Sequence, residues 1–457
     1  MEWKTFRHNG VLFYPEYIPH NIKLIYNKKN ILVDSITEEY LTYFVKIKGY
    51  MRDEIFQNNF LNSLNRLTHN KYRFRDVRKF NFKNYIKLLP HINSLTATSQ
   101  TQSYDIEDYK YVIIDGVQHK LGNPMVEPPG IFIGRGDHPL RGTIKKRIYP
   151  EDVVINIDSN ADIPPCILIG HQWRDIVHDS RSTWIASWKD SITDNYKYIN
   201  LASISSIKME REIEKYDKSR NLKINIIKIR KRNNKNMNSE KYKYRQLSTV
   251  IYLIDKLCLR IGNEKDDNTA DTVGATSLKV GNITLLGDND LHIHFLGKDS
   301  ILFDKIFKVD TVCYHNISLF IKDKNIDELI FDKINSISVN RYLDNFMEGL
   351  TAKVFRTFRS SELFYKKLLS THIYNKGDVQ FYVQYYKSVN LIVAQLCNHR
   401  KNRNLELSLE TSKKNYLDPR ITFAYSKKYN IPIHKLFSKG LIERHKWADE
   451  TSADFKY

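Results

Sequence analysis

The chain has 457 residues, of which 72 are Lys or Arg and 52 are Asp or Glu, giving a formal net charge of +20, and 41% are hydrophobic. That length corresponds to about two to four compact domains, and the hydrophobic fraction supports buried cores and excludes wholesale disorder. The positive excess acts at long range on a polyanion. It makes nucleic acid the first partner to consider and an anionic membrane surface the second.

The membrane reading fades on inspection. No stretch approaches the roughly 20 apolar residues of a spanning helix. Met1-Glu2-Trp3-Lys4-Thr5 lacks the apolar core of a signal peptide. Cys166, Cys258, Cys313 and Cys397 are far apart and form no CxxC pair, which argues against a zinc site or a disulfide framework and for a reducing compartment.

In chain order, residues 1–110 mix aromatic and basic residues with helix-like stretches such as Ile36 to Ile47. Residues 111–200 read as mostly β, with apolar runs at Tyr111-Val112-Ile113-Ile114 and Val153-Val154-Ile155-Asn156-Ile157 between Gly and Pro breaks. From about residue 205 the pattern turns helical. The charged run Lys208 to Lys231 suits a solvated helix face or a track along a DNA backbone. An amphipathic helix follows on Leu247, Val250, Ile251, Ile254, Leu257, Cys258 and Ile261, with Gly262-Asn263 as its stop and Arg260 near its end. Residues 282–309 read as a β-meander with breaks at 287–290 and 297–299. A further helix carries Tyr382, Tyr385, Tyr386, Val389, Val393, Leu396 and Cys397 on one face and ends at His399. The last segment holds Asp418-Pro419, an N-cap and first-turn pair, so Tyr416 sits just ahead of a helix start.

Metal-free cleavage of a phosphodiester needs a nucleophile, cations against the non-bridging oxygens, and an acid for the departing oxygen. A tyrosine nucleophile keeps the energy of the broken bond in its phosphate ester, so resealing needs no ATP. With 29 tyrosines in the chain, composition selects none of them. Tyr416 stands out by position, near a helix N-terminus whose free N–H groups favour anions. By spacing alone Arg260 is a snorkelling arginine, Arg356 a surface partner of its helix neighbours, His399 a helix C-terminal group, and Lys298 an exposed hairpin lysine. His292 and His294 share one strand face, but no third ligand stands nearby, so no metal site is expected. Gly134-Arg135-Gly136 lacks the Lys-Ser/Thr ending of a nucleotide loop.

Several long strings, in order, resemble those of eukaryotic type IB DNA topoisomerases. Ser412-Lys413-Lys414-Asn415-Tyr416-Leu417-Asp418-Pro419-Arg420 resembles the active-site signature, departing at Lys414, where the family usually has Leu. Glu127-Pro128-Pro129-Gly130-Ile131-Phe132, Gly134-Arg135-Gly136-Asp137-His138-Pro139 and Tyr149-Pro150-Glu151-Asp152 resemble the DNA-clamping loop, with Ile133 in place of a family arginine. The first catalytic-arginine motif is matched by 255–265 around Arg260, followed by Asp271-Thr272-Val273-Gly274. The lysine hairpin is matched by 295–300 around Lys298, the second arginine motif by 350–357 around Arg356, and the histidine motif by 396–399.

The resemblance implies an α+β multidomain chain that clamps duplex DNA. Residues 1–200 would form a mixed α/β cap of two subdomains, with about 16–109 inserted. Residues 201–400 would form a mostly helical catalytic domain of the tyrosine recombinase/type IB topoisomerase fold. Residues 401–412 would be a short linker and 413–457 a C-terminal domain delivering the nucleophile. It implies Tyr416 as nucleophile, Arg260, Arg356 and His399 as phosphate donors, and Lys298 as general acid. Arg135, Asp299 and Asn415 occupy positions that contact camptothecin-type poisons. No cofactor, metal, ATP or membrane is called for, and the partner is double-stranded DNA bound by a monomer. The nucleus is the family's location. The chain begins almost at the cap, without a long charged tail, which leaves a cytoplasmic viral replication site or a virion as the alternative. Tyrosine recombinases share this chemistry but usually carry His-x-x-Arg at the second arginine, where this chain has Lys353-Val354-Phe355-Arg356. A non-catalytic DNA-binding relative is the other alternative, and an intact set of five residues argues against it.

Overall fold

The computed structural model describes residues 2–47, 53–89, 105–134, 136, 138–262, 272–369, 378–400 and 406–457. The chain divides into two compact units, Met1–Lys208 and Met209–Tyr457. Both mix helices with small sheets. No helix among the described residues is long and apolar enough to cross a membrane.

The first unit has two cores. One gathers Phe6, Val112, Ile114, Val153, Ile155, Ala186 and Trp188. Its residues come from the antiparallel strands Phe6–His8, Tyr111–Ile114 and Val117–Lys120, and from a four-stranded sheet in which Val153–Asn156 lies between Asp175–Val177 and Ala186–Lys189. The apolar run at 111–114 forms a strand that puts Val112 and Ile114 inward and leaves Ile113 exposed. The second core is aromatic, built on the helices Ser35–Lys46 and Glu54–Leu67, where Phe44 and Phe60 stack at 4.1 Å. Asp34 and Asp53 cap these helices, accepting from Thr37 N at 2.7 Å and Phe56 N at 3.1 Å.

The second unit is mostly helical around one large core that runs from Leu222 to Tyr457. The charged run becomes the 32-residue helix Ser206–Met237. Next comes Tyr242–Leu257, which ends earlier than its periodicity suggests. Cys258 takes a left-handed conformation (φ 53°) and stops it there. Ile261 continues the apolar spacing but lies in a segment without regular secondary structure, so Arg260 lies beyond the helix. The meander is antiparallel, Ile283–Gly287, Asp290–Gly297 and Ile301–Lys308, with Gly297 opposite Ile301 across the tip. Ala352–Leu368 and Val379–Leu396 pack together with Leu409–Asn415 and Pro419–Lys428.

One close approach fixes the segment that carries Arg260. Ala275 N donates to Arg260 O at 2.8 Å and Thr276 N to Ile261 O at 2.7 Å. A Cβ on Gly274 would stand 2.4 Å from Gly262 Cα, backbone against backbone. Gly274→Ala is expected to cost about 1–3 kcal/mol of stability. It should also slow any chemistry that depends on Arg260 by roughly 100-fold, through misplacement of about 1 Å. Gly440→Ala meets nothing within 4 Å and is the matched control in thermal unfolding and activity assays.

Candidate active site

Five segments of the second unit converge. The helix Ala352–Leu368 supplies Arg356, which is only 4% exposed. Its guanidinium is held by backbone carbonyls, Nη1 donating to Cys258 O and Nη2 to Cys397 O at 3.2 Å. Among the described residues no carboxylate pairs with it, and its Nε has no partner. An uncompensated buried cation is costly, so this pocket is electrostatically incomplete without an anion. The surface pairing suggested by helix spacing is therefore wrong for Arg356, because this face of the helix turns inward.

His399 lies three residues past the helix Val379–Leu396 rather than ending it. Asn398 adopts φ 52°, and His399 N donates to Ala394 O at 2.9 Å while Asn398 N donates to Gln395 O at 3.3 Å. These are the two bonds of a Schellman stop, and they turn the imidazole into the site. Its Nε2 lies 3.3 Å from Arg356 Nη2 and its Nδ1 lies 2.8 Å from Ser412 Oγ.

Tyr416 terminates the helix Leu409–Asn415, and Asp418 caps Pro419–Lys428, accepting from Arg420 N at 3.0 Å. The expected N-cap and first-turn pair is thus present. Ser361 Oγ donates to Tyr416 O and accepts from Asp418 N, both at 2.9 Å, which pins the backbone on either side of Leu417. The Tyr416 ring stacks on His399 at 4.8 Å between centroids and 23°, and the Arg356 guanidinium carbon lies 4.9 Å from the ring centre. Burial alone would raise the pKa of this phenol, yet Arg356 and Arg260 together pull it below the ordinary tyrosine value.

Lys298 sits exposed in the turn Lys298–Ser300 at the hairpin tip. Asn398 Nδ2 donates to Leu302 O at 2.9 Å and Lys305 Nζ to Gln395 O at 2.7 Å, tethering the hairpin to the His399 segment. Arg260, Lys298, Arg356 and Asn398 line one recess together with Cys258 and Cys397. Asn415 is exposed, and its side chain donates to Thr411 O at 3.2 Å. Arg135 and the side chain of Asp299 lie outside the described residues. His292 pairs with Asp304 at 2.7 Å across the strands, and no group of three potential metal ligands exists among the described residues.

Sequence reasoning passed over Ser361, Ser412 and the two cysteines. Cys258 and Cys397 are distant in the chain, yet their side chains share a hydrogen bond beneath Arg356. Ser412, Cys258 and Cys397 lie within the motif strings but carry no assigned role there, and Ser361 lies outside them.

Burial, then Arg356 and Arg260, push His399 down to about 3, while burial takes His445 to about 4 despite Glu212. Both are neutral when folded and bind a proton near 6.5 when unfolded. The unfolded chain holds more protons between those values, so this stability is complete above about pH 6.5 and is lost as the pH falls toward 3–4. For the DNA-free protein the loss should reach about 2 kcal/mol per histidine by pH 5. Urea unfolding from pH 7.5 to 5 should therefore show a shallower decline for His399→Gln than for the wild type.

Comparison with known proteins follows the same division of the chain. Residues 1–201 match the family described as eukaryotic DNA topoisomerase I, DNA binding fragment, and 204–427 match eukaryotic DNA topoisomerase I, catalytic core. DNA topoisomerase 1 alpha of Arabidopsis thaliana is 33% identical over 546 aligned residues, covering 100% of this chain and 59% of that protein. DNA topoisomerase 1 of Caenorhabditis elegans is 32% identical, covering 100% of this chain and 68% of its own. For the Homo sapiens protein of the same name the values are 30%, 100% and 72%. The chain thus spans about 59% of the length of the Arabidopsis relatives. With both family regions matched in order and relatives similar along its full length, the chain belongs to the eukaryotic DNA topoisomerase I family.

Proposed function

We propose that the chain is a type IB DNA topoisomerase that relaxes supercoils of either sign by transient cleavage of one strand. The observation that carries this reading is the buried Arg356 guanidinium, without a carboxylate partner among the described residues, set against an acidified Tyr416. Tyr416 gives its phenolic proton to water and its Oη attacks the scissile phosphorus, forming a 3′-phosphotyrosyl ester as the bond to the 5′ oxygen breaks. On resealing the phenol takes a proton back from water. Arg260, Arg356 and His399 stabilise the charge that develops on the non-bridging oxygens. Lys298 gives its proton to the departing 5′ oxygen and recovers it when that oxygen attacks back. Between the two steps the free end rotates. Binding draws on the net charge of +20 and weakens with salt.

The second unit then serves as the catalytic fold of the tyrosine recombinase and type IB class, with 401–412 as linker and 413–457 delivering the nucleophile. The first unit serves as the DNA-binding cap, with about 16–109 as its inserted part. Duplex DNA is the partner, a monomer the working form, and the nucleus the location carried over from the family. The test is relaxation of a supercoiled plasmid in EDTA without ATP. Relaxed topoisomers without recombinants support the reading. Recombinant products, a metal requirement, or binding without nicking overturns it.

Arg135, Asp299 and Asn415 would form a camptothecin pocket. The short 401–412 tether and Ile133 leave less to restrain rotation and retain DNA. Camptothecin is accordingly expected to trap the covalent complex, which reseals quickly on dilution into high salt. Absence of trapping removes the pocket, and persistence equal to that of a long-linker relative removes the tether argument.

A further inference from the structure

Ser412 is wholly buried in the helix Leu409–Asn415 and touches both ends of the reacting pair. Its hydroxyl oxygen lies 2.8 Å from His399 Nδ1. Its carbonyl accepts from Tyr416 N at 2.9 Å and Leu417 N at 3.0 Å. On the far edge of the imidazole, Nε2 faces Arg356 Nη2 at 3.3 Å.

These contacts impose a hydrogen count. A guanidinium nitrogen only donates, so next to Arg356 alone Nε2 must accept, and the ring hydrogen sits on Nδ1, donating to Ser412 Oγ. The proposed reaction requires the reverse. To stabilise a non-bridging phosphate oxygen, His399 must donate from Nε2, which leaves Nδ1 bare and in need of a donor. Burial and the two arginines keep the ring neutral, so it has one hydrogen and cannot donate from both nitrogens. A carboxylate at Nδ1 would accept only and hold the hydrogen there. A hydroxyl accepts in one state and donates in the other.

We propose that Ser412 is a positioning residue whose hydroxyl fits both neutral tautomers of His399, accepting from Nδ1–H in the pairing with Arg356 and donating to bare Nδ1 in the Nε2–H form that faces the scissile phosphate. Between the two forms the ring passes its Nδ1 proton to water and takes one from water at Nε2, with no net change. The Ser412 carbonyl holds the start of the Tyr416–Leu417 turn in the same unit, so the donor ring and the nucleophile move as one. This inference rests on the reading of His399 as a phosphate donor.

The test measures single-turnover cleavage of a duplex oligonucleotide by the full chain, in the wild type, Ser412→Ala, His399→Ala and the double variant. Alanine suits a helix interior, so folding is expected to survive and is checked by thermal unfolding. Ser412→Ala should slow cleavage about 10- to 100-fold, the range for losing one hydrogen bond to a group under charge, with duplex affinity unchanged. The double variant should be no slower than His399→Ala, and Ser412→Thr should recover part of the rate. On a substrate whose non-bridging oxygen facing His399 is replaced by methyl, the Ser412→Ala penalty should vanish. Separately, ¹⁵N shifts of His399 should change from an Nδ1–H to an Nε2–H pattern when duplex is added to the Tyr416→Phe protein. Additive penalties, a penalty that persists on the methyl-substituted phosphate, or one tautomer in both states overturns the role of Ser412. Wild-type rates for His399→Ala overturn the underlying reading of the site, whatever Ser412 does.

Discussion

Tyr416→Phe is expected to leave duplex binding nearly intact and to remove cleavage altogether, a loss of at least about 10⁴-fold. Only the oxygen is deleted, and with it the side-chain hydrogen bond to Arg356, while the contacts that hold the ring and the backbone do not use it. The ring keeps its 4.8 Å stack on His399 and its place over Arg356. The backbone keeps its bonds to Ser361 and Ser412. Phosphate contacts dominate affinity for DNA, and none of the basic groups changes. Denaturant-trapped reactions on end-labelled duplex read the result directly. The wild type should give an adduct on the strand bearing the 3′ phosphate, and the variant none. An adduct that persists in the variant, or a wild-type link to the 5′ end, would assign the nucleophile elsewhere.

The placement of Tyr416 was legible because its signal is local. Asp418-Pro419 fixes a helix start through a cap bond and a preset φ, and both act over a few residues. The meander was legible for the same reason, since alternation of period two and turn residues determine its strands. The helix ends were misjudged where a non-glycine residue takes the left-handed conformation. Cys258 carries no stop signal and Asn398 only the modest one of an asparagine, yet each closes its helix and redirects the chain so that Arg260 and His399 follow in the turn. Apolar spacing continued to Ile261 because the core continues there, not the helix. The burial of Arg356 and the contacts of Ser361, Ser412, Cys258 and Cys397 were invisible for a different reason. They join segments separated by 13 to 139 residues, and periodicity does not report such pairings. The family resemblance named Arg356 and His399, but it did not give the hydrogen bonds that orient them.

Lys298→Ala is expected to slow cleavage by about 10²- to 10⁴-fold, the range for losing a positioned general acid. Its location separates it from the other cations. Arg356 is buried and pinned by two carbonyls, so it can only receive a phosphate brought to it. Lys298 is exposed on a hairpin tip, on a flexible stem with a single point charge. That suits delivery of a proton to an oxygen that departs, and the tether through Asn398 and Lys305 limits how far the tip strays. A substrate with sulfur in place of the bridging 5′ oxygen distinguishes these jobs, because a thiolate leaves without a proton. Lys298→Ala should return to nearly the wild-type rate on that substrate. Arg356→Ala should remain slow on both, since the charge on the non-bridging oxygens is the same with either leaving group. Equal rescue of the two variants would mean that Arg356 also serves the leaving group, and no rescue of either would remove Lys298 as the acid. A selective rescue would assign the proton to the hairpin and the phosphate charge to the buried arginine.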